Sequence, residues 1–323
     1  MVRGRKLCTF TARQDGEDPV PSAARWGRCL AIEVETPWNK EITNSASFPQ
    51  DVLEATRRYE EGRGSLRIQG LIPDEEYSVP DHTRLIDARL VREEGRYETV
   101  EYVVPHHAVG DVVDRLLNGN GNDESVHEYR RDLNGVRDVL VCTHGSRDAC
   151  CARFGYQVYR RLRDQYASPG SLRVWRTSHT GGHRFAPTLI DLPEGRYWAW
   201  IGDESLDNLI TREGSIPAMI DSYRGLAALS TAFEQVAERE AFRQEGWSWT
   251  GYAVSSEVVA YDEAQDAAEV RIEFASPGGG RSGACWARVK RLPDIVTQGC
   301  ASAELGKTVA ADQYRLEEFR ALS

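Results

Sequence analysis

Apolar text in this chain comes in short runs bounded by charged and turn-forming residues, and two of those runs have the same sequel. Arg28 to Val34 and Arg137 to Cys142 read as buried strands. Each is followed by a polar-apolar stretch at helical spacing, about Pro49 to Glu61 and about Cys150 to Tyr166. Three short strings then recur in order. Gly64-Ser-Leu-Arg-Ile returns as Gly170-Ser-Leu-Arg-Val, Leu85-Ile-Asp as Leu189-Ile-Asp, and Glu94-Gly-Arg-Tyr as Glu194-Gly-Arg-Tyr, with offsets of 106, 104 and 100 residues. A recurrence in register points to two copies of one unit. Each copy predicts a strand, a helix, a strand at the Gly-Ser-Leu-Arg string and two further strands. That is a β-α-β-β core with a closing helix, in which the strand-helix-strand start calls for a parallel pair and a right-handed crossover. The order matches a thioredoxin-like layer.

Helical text closes the second copy from Asp203 to Arg212 and again from about Pro217 to Gln244. Beyond it, Val254 to Tyr261 and Ala268 to Ala275 flank Asp262-Glu-Ala-Gln-Asp as a hairpin, and Ala284 to Val289 reads as another strand. Residues 1 to about 24 read as polar and extended, and Asn118-Gly-Asn-Gly-Asn as the linker between copies. The expected class is α/β: two tandem thioredoxin-like copies plus a small β-rich C-terminal appendage. The expected divisions are 1–120 without metal ligands, 121–248 with them, and 249–323 as the appendage.

A net charge of -10 excludes a protein that coats phosphates with clustered cations, so no nucleic-acid partner is expected. No apolar stretch reaches the length of a membrane span or a signal peptide, and a cytoplasmic protein is expected. Seven cysteines, at positions 8, 29, 142, 150, 151, 285 and 300, lack the density of a secreted disulfide scaffold. In a reducing compartment the concentration at 142, 150 and 151 points to metal or redox chemistry.

The copies differ most where the second carries Cys142-Thr-His-Gly-Ser-Arg-Asp-Ala-Cys-Cys151 after its first strand and Ser178-His-Thr-Gly-Gly-His-Arg-Phe-Ala-Pro187 before its third. The matching stretches of the first copy, around Thr36-Pro-Trp-Asn and Pro73-Asp-Glu-Glu-Tyr, hold no cysteine and no paired histidine. In a thioredoxin-like layer those two loops lie side by side at one end of the sheet. Thiolates and imidazoles suit zinc or a cluster iron, whereas magnesium and calcium take oxygen. Two glycines between His179 and His183 disfavour a helix, so the pair sits in a loop. Cys142 on its own also reads as plain strand core. Cys150 and Cys151 cannot both point inward from one turn, so one of them is not a ligand. Arg147 and Asp148 read as a surface pair or a loop brace, and His144 as a donor behind the ligands or a solvated loop residue. Ala186-Pro187 is placed for a cis bond.

At these residues the chain resembles the sucrase/ferredoxin-like family, whose domain is similar to thioredoxin-like ferredoxins. The pattern Cys-x-His-x-x-Arg-Asp-x-x-Cys followed by His-x-Gly-Gly-His is met by Cys142, His144, Arg147, Asp148, Cys151, His179, Gly181, Gly182 and His183. The resemblance extends over most of the chain and takes in, more weakly, Pro37-Trp38 and the region of Cys300. It implies a 2Fe-2S cluster with Cys142 and Cys151 on one iron and His179 and His183 on the other. The family often has Arg at the position of Cys150. Nothing in the sequence argues for paired carboxylates at a sugar-cleaving geometry, so the sucrase half of the name carries no expectation.

Imidazole ligands raise the potential of such a cluster relative to an all-cysteine one, and each keeps a ring nitrogen for a proton. The expectation is a one-electron carrier, with electron transfer coupled to a proton, rather than an enzyme with its own substrate. Without a nucleotide-binding glycine motif after a strand, a reductase or acceptor enzyme is the expected partner. The alternatives are a structural zinc site on the same ligands and a thiol-disulfide oxidoreductase, the latter disfavoured by the lack of Cys-x-x-Cys.

Overall fold

The computed structural model describes residues 7–92, 95–119, 124–133, 135–298 and 308–322. In chain order its elements are α1 (Cys8–Gln14), β1 (Arg28–Glu33), α2 (Gln50–Arg63), β2 (Arg67–Leu71), β3 (His82–Val91), β4 (Arg96–Pro105), α3 (Val109–Asn118) and β5 (Arg130–Arg131). They continue with β6 (Arg137–Cys142), α4 (Tyr156–Gln165), β7 (Leu172–Thr177), β8 (Leu189–Leu192), β9 (Arg196–Trp198), α5 (Asp203–Thr211), α6 (Ile216–Met219), β10 (Tyr223–Leu226) and α7 (Ala232–Glu245). The last four strands are β11 (Ala253–Asp262), β12 (Ala267–Ala275), β13 (Ser282–Gln298) and β14 (Thr308–Leu322).

The class is mixed α/β. One ten-stranded sheet has the order β10-β9-β8-β6-β7-β2-β1-β3-β4-β5, and a second, four-stranded sheet has the order β11-β12-β13-β14. In the first half, β1 pairs parallel with β2 and antiparallel with β3, which pairs antiparallel with β4. In the second half, β6 pairs parallel with β7 and antiparallel with β8, which pairs antiparallel with β9. The halves meet where β2 runs antiparallel to β7 at Leu71 and Thr177.

Strands β1 and β6 read as continuous apolar runs because both of their faces are covered. Leu30 and Ile32 point into a core with Val52 and Ala55 of α2 and Val112 and Val113 of α3. Cys29 and Ala31, one step out of phase, join Leu140, Trp175, Ile190 and Tyr197 of the second half. On the other face of β6, Val139 and Val141 share a core with Phe242 of α7 and with Val270, Ile272 and Val289 of the small sheet. The C-terminal strands therefore complete the core of the second half.

Three expectations are corrected. The N-terminal segment forms helix α1, whose Cys8, Thr9 and Ala12 are buried. The stretch from Pro217 to Gln244 is broken by β10, where Gly225 takes φ +125° and buried Arg224 enters the sheet. A final strand, β14, follows and pairs with a β13 much longer than Ala284 to Val289. Part of the linker, residues 120–122, lies outside the described residues, as do Glu94 and Cys300. No helix among the described residues is long and apolar enough to cross a membrane.

Several buried charges in this core are paired, Arg28 with Asp87 and Arg173 with Asp138 among them. Glu238 of α7 accepts from Arg196 Nη1 at 2.8 Å, Tyr223 Oη at 2.9 Å and Trp249 Nε1 at 2.7 Å, so one carboxylate ties α7 to β9, β10 and the segment entering the small sheet. Glu238→Ala leaves the Arg196 guanidinium buried beside Glu194 alone and is expected to lower unfolding free energy by about 3–5 kcal/mol. Urea denaturation measures this, and a loss below about 1 kcal/mol would contradict the assignment.

Candidate metal centre

The centre lies at the end of β6, where the chain leaves the sheet at Cys142 and returns as a helix beginning at Ala149. Asp148 caps that helix: its Oδ1 accepts from the Cys150 N–H at 2.7 Å. The turn from Cys151 to Gly155 is π-helical before α4 begins. Gly155 permits the approach, since a Cβ there would stand 1.9 Å from the Cys142 carbonyl oxygen. The helix thus presses against the strand end and brings Cys151 to Cys142.

The second loop starts directly after β7. His179 turns its Nδ1 toward both thiols, 3.9 Å from Cys142 Sγ and 3.7 Å from Cys151 Sγ. These three donor atoms lie within 4.8 Å of one another. Burial pushes the Cys142 thiol up, but hydrogen bonds from Cys151 and His179 outweigh it and hold Cys142 well below its ordinary value. The hydrogen bond to Cys142, together with burial, holds Cys151 well above its own. Cys142 is therefore the thiol of the pair that gives up its proton more readily. Thiols and imidazole without a carboxylate make a donor set for a soft or borderline metal.

Three of the four expected ligands are thus together. The fourth, His183, lies beside them, its ring 6.2 Å from that of His179 and inclined by 27°. Its Nδ1 faces elsewhere: it is 3.4 Å from Cys8 Sγ and 3.8 Å from Asp148 Oδ2. Burial holds its pKa below the ordinary imidazole value. Cys150 points away from Cys142, and its Sγ is 3.5 Å from that of Cys8. Cys29 and Cys285 are core residues whose thiols burial pushes up to about 12. Ala186-Pro187 is cis.

His144 is buried, which corrects the solvated alternative. Its Nδ1 accepts from the His179 N–H at 3.1 Å, so Nε2 carries the proton and donates to the Asn39 carbonyl at 2.8 Å. Trp38 covers the ring edge-on. Arg147 pairs with Glu41 rather than with Asp148. Further contacts from the first half hold the histidine loop: Arg67 Nη2 donates to the His179 carbonyl at 2.7 Å and Gln69 Nε2 to the Ser178 carbonyl at 2.8 Å. Nothing in the motif spacing pointed to Arg67 and Gln69, which act across the β2–β7 junction, or to Asn39, which reaches the cysteine loop from the segment after β1.

A comparison with protein-family models matches residues 19–225 to the sucrase/ferredoxin-like family. The chain belongs to that family. The matched span of this family member holds both motif loops and ends at Gly225, so Cys8, α7 and the small sheet fall outside it. Searches of curated proteins and of solved structures each found no match.

Arg224 was also missed, since β10 was read as helix. Its buried guanidinium donates to the Gly181 carbonyl at 3.1 Å and to Ser22 Oγ and O at 3.0 and 2.7 Å, beneath the histidine loop. Gly182 at φ +65° fits over it, where a Cβ would meet Nη2 at 2.5 Å. Loss of a charged hydrogen bond of this kind costs about 1.5–3 kcal/mol. Arg224→Gln is therefore expected to speed amide exchange at Phe185 and Ala186, whose N–H groups donate to the Gly182 and His183 carbonyls, by about ten- to hundredfold while leaving α2 and α3 protected. Unchanged exchange in the loop would remove Arg224 from this role.

Proposed function

We propose that this chain is a one-electron carrier whose 2Fe-2S cluster is held by Cys142, Cys151, His179 and His183. The convergence of Cys142 Sγ, Cys151 Sγ and His179 Nδ1 carries the reading, with His183 in the adjoining position. Membership of the sucrase/ferredoxin-like family favours iron and sulfide over zinc on this donor set. The common strand order of the halves supports reading each β-α-β-β-α run as a thioredoxin-like copy, the first serving as a scaffold for the second.

Bound there, the cluster supplies a one-electron couple. The chain's own residues do the rest. The two thiols give up protons, of which Cys142 is already poised to lose one. His144 and Arg67 fix the His179 backbone, and with it the direction of the ring. Each histidine retains a second ring nitrogen at which a proton can be held. The acidic chain suits a basic redox protein as donor or acceptor, in the cytoplasm that its cysteine content fits.

Freshly purified protein is expected to be red-brown with iron and sulfide in equal amounts; a colourless, zinc-loaded chain would favour the structural zinc reading. Cys142→Ser, Cys151→Ser, His179→Ala and His183→Ala should each lose most of the iron, while Cys285→Ser should keep it. Full iron in Cys151→Ser with loss in Cys150→Ser would exchange those neighbours.

Reduction adds negative charge beside the imidazoles and raises their pKa, so the reduced state takes up a proton. The potential should fall as pH rises between the oxidised and reduced pKa values, by up to about 59 mV per unit, and be flat outside that window. Titration from about pH 6 to pH 10, with His179→Cys or His183→Cys as the comparison, tests this. A wild-type potential independent of pH would defeat the proton coupling.

A further inference from the structure

Behind the first donor set lies a second. Cys8 comes from α1, Asp148 and Cys150 from the helix start after β6, and His183 from the histidine loop, so three segments remote in sequence converge at one point. Cys8, Cys150 and Asp148 are all nearly inaccessible. Asp148 differs from four of the other buried carboxylates of the fold. Asp87, Asp138, Asp191 and Glu238 each meet an arginine, whereas Asp148 Oδ2 is buried without a hydrogen-bond partner. It faces His183 Nδ1 and the Cys8 thiol. An orphaned carboxylate oxygen aimed at a thiol and an imidazole is costly unless a cation joins it.

We propose that Cys8 Sγ, Asp148 Oδ2 and His183 Nδ1, which lie within 4.8 Å of one another, form a second metal site for a borderline divalent cation of the zinc type, with the Cys150 thiol turning in from its place beside Cys8 as the fourth donor. The spacing of the first three fits. Tetrahedral zinc with Zn–S near 2.3 Å and Zn–N near 2.0–2.1 Å sets S···S at about 3.8 Å and S···N at about 3.6 Å. Here Cys8 Sγ stands 3.5 Å from Cys150 Sγ and 3.4 Å from His183 Nδ1. Asp148 Oδ2, 3.8 Å from His183 Nδ1, has about 0.5 Å to close before it reaches a tetrahedral edge. The hydrogen bond from Cys8 already holds Cys150 below its ordinary value. Zn2+ displaces a proton from each thiol to solvent, and no electron moves.

The site touches the proposed cluster only through His183, whose Nδ1 belongs to this group and whose Nε2 is left for iron. With both occupied, the ring would bind as imidazolate with its last proton passing to solvent, and the proton coupled to the electron would then be held on His179 alone. The second metal would then pin α1 to the two ligand loops.

The test uses the full chain as purified, incubated with Zn2+, desalted, and assayed for zinc and iron separately. About one zinc per chain is expected. Cys8→Ser and Cys150→Ser should weaken zinc binding at least tenfold, read by chelator competition, and leave iron in place. Asp148→Asn, which keeps the cap on Cys150 N–H, should weaken zinc binding similarly without loss of fold. Cys142→Ser should lose iron and keep zinc. Co2+ added in place of Zn2+ should give thiolate-to-cobalt charge transfer that Cys8→Ser abolishes. Zinc that follows Cys142 instead of Cys8, a Cys8–Cys150 disulfide in the purified protein, or no zinc above background would each overturn the proposal. A chain purified without iron would sink the cluster reading alone, since the zinc measurements would still be scored.

Discussion

The antiparallel junction between β2 and β7 is the contact on which the centre depends. It is short: Ile72 N–H donates to the Arg176 carbonyl at 2.9 Å, and Ser178 N–H to the Gly70 carbonyl at 2.8 Å. Yet the histidine loop begins at the very next residue. A backbone pairing fixes the position of Ser178 to a few tenths of an ångström, and Arg67 and Gln69 of the neighbouring strand extend that hold one residue further. The half of the molecule without ligands thereby determines where His179 points. Trp38, Asn39 and Glu41, reaching the cysteine loop from the other side, complete the brace.

Charge is distributed around the centre with a direction. Hydrogen bonds from Cys151 and His179 favour the thiolate form of Cys142 despite its burial, and Arg224, a buried cation without an ion-pair partner among the described residues, lies beneath the histidine loop. Burial lowers the Arg224 pKa to about 10, a sign of how little water or carboxylate compensates it. Elsewhere the fold neutralises its buried charges locally, as Arg173 does with Asp138 and Glu101 between the halves. An uncompensated guanidinium below the loop and an excess of anionic donors above it are complementary.

Much of this was legible from the chain alone. The strands at Arg28 and Arg137 are buried on both faces and so carry unbroken apolar text, and the Gly-Ser-Leu-Arg strings mark equivalent strands in the two halves. The two loops announced themselves because cysteine and histidine are scarce elsewhere. What was not legible depends on tertiary contact. Cys8-Thr-Phe-Thr has no strong helical preference, and it forms a helix because Thr9 Oγ1 reaches the Ala186 carbonyl and Cys8 meets Cys150. Strand β10 is four residues long and owes its place to Arg224 and Tyr223, which read equally well as helix. Strand β14 has one packed face and many charges, so its period-two pattern is faint. The role of Cys8 in the site had no local signal at all, since 134 residues separate it from Cys142.

Helix α1 has a further property, which concerns time rather than space. Its contacts are among the most non-local in the chain: Asp15 Oδ2 accepts from Thr297 Oγ1, and the Asp18 N–H just beyond it donates to Gln313 Oε1. Synthesised early, the helix meets Cys150 and Ala186 only after the ligand loops have emerged, and it gains its last contacts when β13 has paired with β14. Through that interval the two ligand loops are formed by local and mid-range contacts while their N-terminal cover is still loose. Order of folding thus gives this fold a period of open access to its centre, which ends when the C-terminal hairpin locks α1 down.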